Sequence, residues 1–92
     1  VKQDTSVQNR QQLAPYRNAI TRYLRSALKL KGYTYQDLSR ALLEHGVEIT
    51  EDNLRNKFSR GTLSADLLLL ILRLLDVDDV AATAMLNIVD KQ

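Results

Sequence analysis

The side chains best suited to chemistry with a polymer lie in one short stretch, TEDNLRNKFSRG, from Thr50 to Gly61. Asn53 and Asn56 carry carboxamides that can pair with the edge of adenine, and Arg55 and Arg60 carry guanidinium forks that match guanine. Lys57, like the arginines, can reach a phosphate backbone. Wound into a helix, Leu54 and Phe58 set the inward direction. Asp52 and Asn56 then lie opposite, with Asn53 and Arg60 close by and Arg55 and Lys57 on the two flanks. Glu51 and Asp52 occupy the end that a recognition helix turns toward DNA, where they repel phosphate. Either they complement the helix dipole, or Asp52 accepts from a cytosine amino group. The same pattern also describes a plain solvated amphipathic helix, and the stretch alone leaves both readings open.

Little else in the chain could carry chemistry. Its 92 residues include no cysteine and one histidine, His45, which sits near a helix end and reads as a capping or surface residue. Asp78 and Asp79 are adjacent, so on a helix they diverge and read as start-capping residues, not an acid/base pair. With no glycine-rich phosphate loop and no metal-ligand spacing, an enzyme is not expected, nor a cofactor, a metal or a small-molecule ligand. The longest apolar run, Leu67–Leu72, has six residues, far below the roughly 20 that cross a bilayer. No leader is visible, and a cytoplasmic, nucleoid-associated place is expected.

The elements that position these residues read as all-α. Residues 1–12 are polar and read as a flexible N-terminal arm; 13–92 read as a single helical domain. Pro15 suits the first turn of a helix, whose face is Ile20, Leu24, Ala27 and Leu28 and which stops at Gly32. Thr34 caps a second helix, with Asp37 completing a capping box; Leu38, Ala41 and Leu42 form its buried stripe and Gly46 ends it. Ile49 acts as the apolar staple before Thr50, the cap of the third helix, and Gly61 terminates that helix. A fourth helix runs from Ser64 to about Leu75 and a fifth over about Asp78 to Val89, with Val80, Ala84, Met85 and Ile88 packing inward. The net charge is only +2, with 13 Lys and Arg against 11 Asp and Glu. Its distribution is uneven: residues 10–60 hold ten basic side chains and five acidic ones, residues 61–92 two and five.

With helices two and three joined by a short connector beside a basic first helix, YLRSALKLKGYTYQDLSRAL followed by ITEDNLRNKFSRGTLSADLLLLILRLLDV resembles the lambda-repressor-like helix-turn-helix fold of Cro and CI-type regulators. More narrowly, it looks like a small bacterial domain family of unknown function with the same Gly-Tyr-Thr-Tyr, Asn-Leu-Arg-Asn-Lys and Ser-Arg-Gly elements. The resemblance spans about Ile20 to Val77. It implies a compact five-helix domain with a helix-turn-helix at about 34–60, the third helix (50–60) entering the major groove, and Asn53, Arg55, Asn56 and Arg60 facing DNA. Gln36, Lys57, Arg25 and Lys29 join the expected DNA-binding set. Two places depart from the pattern. Tyr35 stands where the family often has a phosphate-touching glutamine, with Gln36 following, and the link LEHGVEIT carries about three extra residues.

LLLLILRLL, Leu67 to Leu75, is apolar nearly all round. If Leu68, Ile71, Leu72 and Leu75 face inward, Leu67, Leu70 and Leu74 form a second ridge. That ridge is either covered by the arm or the fifth helix, or serves as a homodimer interface that would give two recognition helices to a palindrome. The expected function is sequence-specific binding of double-stranded DNA as a homodimeric transcriptional regulator. The alternative is a protein-interaction adaptor or architectural component on the same fold, told apart by whether the basic residues of helices one and three share a face.

Overall fold

A computed structural model describes residues 5–92, which form five helices and no strand among the described residues: α1 (Thr5–Lys31), α2 (Tyr35–Glu44), α3 (Glu51–Arg60), α4 (Ala65–Leu74) and α5 (Ala81–Asp90). Their shared core is aliphatic around one ring. Leu24, Leu38, Leu42, Leu54, Phe58, Ile71 and Leu75 are fully enclosed, so α1 to α4 each contribute at least one. α1 packs along α5 and α3, while α2 packs against α3 and α4.

Local chemistry sets most of the boundaries. Thr34 caps α2: its hydroxyl accepts the Asp37 N–H at 3.0 Å and the Asp37 carboxylate accepts the Thr34 N–H at 3.0 Å, completing the capping box. The Thr50 hydroxyl accepts the Asn53 N–H at 3.2 Å at the start of α3, and Ile49 is half-buried against the core. Gly61 closes α3 in the left-handed region at φ 62°. At the end of α4 the same conformation falls on a non-glycine residue, Asp76, at φ 59°.

Two expectations differ from the structure. The lead-in expected over residues 1–12 is part of α1 from Thr5 onward, and residues 1–4 lie outside the described residues. Pro15 therefore sits inside a 27-residue helix and does not open it. Proline lacks the N–H that would reach the carbonyl four residues back, that of Gln11; the neighbouring Arg10 carbonyl accepts from Arg17 Nη2 at 2.8 Å. Residues 6–13 are exposed, and this length of helix draws the molecule out to 49 Å along one axis. Its radius of gyration is 14.4 Å, against about 12 Å for a compact chain of this size.

α5 is the second difference. It begins at Ala81, three residues after Asp78, so Asp78 and Asp79 lie in the preceding turn and Val80 occupies the cap position. The later start turns Val80 outward and buries Ala81 in its place, while Ala84, Met85 and Ile88 are half-buried as expected. On α4, Ile71, Leu72 and Leu75 are buried and Leu68 is half-buried; Leu67, Leu70 and Leu74 are half-buried against the core as well, and Leu69 is exposed.

Candidate nucleic-acid interface

α3 is held on α1 by polar contacts at its C-terminal half. The Thr21 hydroxyl donates to the Phe58 carbonyl, and Arg25 Nη2 donates to Ser59 Oγ at 3.0 Å. Tyr35, the first residue of α2, meets the Phe58 ring edge-on, with centroids 5.2 Å apart and planes at 77°. The link between α2 and α3 is tied down from its own side, where the Ser39 hydroxyl donates to the Ile49 carbonyl at 2.6 Å. Within this link Val47 and Ile49 are half-buried against the core.

An open cleft of about 580 Å³ lies where α1, the start of α2 and the start of α3 converge. Arg25 and Lys29 line it from α1, Thr34, Tyr35 and Gln36 from the start of α2, and Glu51 and Arg55 from α3, with Leu28 and Tyr33 behind. Four residues expected from the sequence to bind DNA, Arg25, Lys29, Gln36 and Arg55, therefore share one concavity. Beside it, Asn53, Asn56 and Arg60 are exposed on α3, on the face away from buried Leu54 and Phe58. Lys57 stands apart. It is half-buried and lines a second groove of about 490 Å³ with Val47, Ile49, Leu67 and Leu70.

Electrostatics inside the cleft are more balanced than the basic count implies. Arg55 donates from Nη2 to the Glu51 carboxylate at 2.9 Å and from Nη1 to the Asp52 carboxylate at 3.1 Å. Its guanidinium carbon lies 5.1 Å from the centre of the Tyr35 ring. The hydrogen bond to Glu51 is the first cause, and the charges of Glu51 and Asp52 further causes, of a guanidinium pKa above the ordinary arginine value. At the mouth of α2, Asp37 titrates below the usual carboxylate range, chiefly because its charged form accepts the Thr34 N–H.

Tyr35, Tyr33 and Glu51 were not among the cleft residues expected from the sequence. The i, i+4 spacing of Glu51 and Arg55 is a signal that could have found that pair; Tyr35 meets α3 only through tertiary packing. Among the described residues no group of three or more His, Asp or Glu side chains could hold a metal ion, and no helix is long and apolar enough to cross a membrane.

Residues 16–80 match a family described as "Domain of unknown function (DUF6471)". The chain belongs to that family. The match takes in every residue of the cleft and ends one residue before α5, and it starts well inside α1. It agrees with the narrower expectation, a domain family of unknown function, and carries no assignment to the lambda-repressor-like group. No curated protein and no solved structure matches the chain.

Proposed function

We propose that this DUF6471 domain binds double-stranded DNA sequence-specifically through α2 and α3, in a lambda-repressor-like helix-turn-helix arrangement, as a homodimeric transcriptional regulator. The observation that carries the reading is the convergence of Arg25, Lys29 and Gln36 on one cleft beside the start of α3. Cationic and amide donors grouped on a concave wall are what a phosphate backbone requires. The adjoining exposed row of Asn53, Asn56 and Arg60 has the side-chain types that read base edges in the major groove. In this arrangement α1 and the start of α2 grip one strand's phosphates, Lys57 reaches the backbone from the other flank, and α3 lies in the groove. A second copy would join through the fourth and fifth helices, where Leu69 of α4 and Leu86 of α5 are each exposed.

One observation favours a second reading, an adaptor that binds protein. The groove between the α2–α3 link and α4, lined by Val47, Ile49, Leu67 and Leu70, is largely apolar and lies on the Lys57 flank of α3. Selection from a pool of random duplex DNA separates the two. The DNA reading predicts enrichment of a motif, lost in Asn56→Ala, with half-site spacing that reports the dimer. A folded protein that retains no duplex at low salt would leave the adaptor.

A further inference from the structure

The sequence counts Arg55 among the DNA-facing residues of α3, yet its guanidinium is already engaged on three sides. One nitrogen serves Glu51, the other Asp52, and the guanidinium lies over the ring of Tyr35, which packs T-shaped with the core residue Phe58. Reaching a base would require leaving all three. It would also release two carboxylates at the N-terminal end of α3, the end that a recognition helix points into the groove. With Arg55 in place the three side chains sum to −1; without it, two bare carboxylates would face phosphates. The two ion pairs differ in quality. Asp52 is 91% exposed in its side chain and Glu51 44%, so salt loosens the Asp52 arm first and the Glu51 arm, backed by the tyrosine face, holds.

We infer that Arg55 is a positioning residue and not a reader. It is the internal counterion that offsets one of the two charges in the acidic first turn of α3, seated on the Tyr35 ring at the start of α2. The inference rests on the DNA-binding reading and assigns base recognition to Asn53, Asn56 and Arg60, leaving Arg55 out of it. It also gives Tyr35 a role: the aromatic face at the first position of α2 seats the guanidinium, and the amide donor is displaced to Gln36, which lines the cleft beside it.

The test compares wild type, Arg55→Ala, Arg55→Lys and the triple variant Glu51→Gln/Asp52→Asn/Arg55→Ala, each titrated with the same selected duplex at several salt concentrations. Circular dichroism melts accompany every variant. The inference predicts that Arg55→Ala binds on the order of tenfold more weakly at low salt, because the carboxylates are uncovered. The triple variant, with those charges removed, returns to within about threefold of wild type, with the wild-type salt slope. Arg55→Lys keeps the charge but not the fork, and stays near wild type in both affinity and motif.

The inference is overturned if the triple variant stays as weak as Arg55→Ala with a slope smaller by about 0.9, the mark of one lost phosphate contact. It is equally overturned if Arg55→Lys or the triple variant loses preference at a single base position. Should Arg55→Ala fail to fold, Arg55→Lys decides alone. A wild-type protein that binds no duplex fails before any variant is compared, which overturns the DNA-binding reading itself and with it this role.

Discussion

A Cβ atom placed on Gly61 would lie 2.5 Å from the carbonyl oxygen of Arg17. The turn that ends α3 therefore rests directly on the backbone of α1, and the next two turns of α1 reach α3 as well, through Thr21 to the Phe58 carbonyl and through Arg25 to Ser59. α1 thus sets the tilt of α3 and, with it, the position of the exposed Asn53, Asn56 and Arg60 relative to the cleft where Arg25 and Lys29 stand.

Gly61→Ala should be the costliest glycine substitution in the chain. It combines a left-handed backbone, worth about 1–2 kcal/mol, with a contact against backbone that cannot rotate away, for a total of about 3 kcal/mol. Gly46 is also left-handed, at φ 79°, but a Cβ there meets nothing within 4 Å. Gly46→Ala should therefore cost only about 1–2 kcal/mol. Urea titration of both variants checks the difference; equal midpoints would show that α3 does not depend on its approach to α1.

At the end of α4 the opposite change should help. Asp76 holds φ 59° while the Val77 N–H returns to the Leu72 carbonyl at 3.0 Å, a turn that glycine enters without a Cβ penalty. Asp76→Gly should stabilise the fold by about 1 kcal/mol, raising the melting temperature by roughly 4–8 °C for a domain of this size. An unchanged or lower value in a thermal scan would contradict this.

Acid should loosen the start of α2. The Asp37 carboxyl binds its proton more weakly when folded, because the charged form accepts the Thr34 N–H. Its contribution is therefore complete above the unfolded carboxylate value of about 3.9 and is lost as pH falls through the lower folded value. Asp66 behaves alike through the Ser64 hydroxyl, the larger cause, and the Leu67 N–H. Stability measured from pH 6 down to about pH 2 should fall less steeply in Asp37→Asn than in wild type. Thr34→Ala, which removes the capping hydroxyl itself, should cost about 1 kcal/mol at neutral pH.

How much of this could be read from the chain depended on range. The caps at Thr34 and Thr50, the terminating glycines and the buried pair Leu54 and Phe58 follow from neighbours within a turn, and each appears where the spacing placed it. The start of α1 was hidden because residues 5–13 have no apolar stripe, and because proline is ordinarily a starting residue. Asp78 and Asp79 resemble a capped first turn, so the local pattern starts α5 three residues early. The gathering of Arg25, Lys29 and Gln36 rests on the crossing of α1 with α2 and α3, which no local pattern encodes. The seating of Arg55 on Tyr35 is likewise tertiary, although its pairing with Glu51 was written in their spacing.

Within the proposed interface, two classes of residue should behave differently. Arg25→Ala and Lys29→Ala should each weaken binding to every sequence and lower the slope of log affinity against log salt by about 0.9. Asn56→Ala should leave the slope alone and relax selection at one base position, at about 1–3 kcal/mol of discrimination. Uniform, sequence-independent losses from all three would count against base reading by Asn56.

The most direct test of the whole account is a fluorescence-anisotropy titration of the wild-type protein with a labelled mixed-sequence duplex at low and near-physiological salt, run beside Arg25→Ala/Lys29→Ala. The account predicts saturable binding that weakens with salt, and a double variant that binds less and responds to salt less. Absence of binding at low salt by a folded protein, or a double variant indistinguishable from wild type, would contradict the assignment of the cleft to DNA.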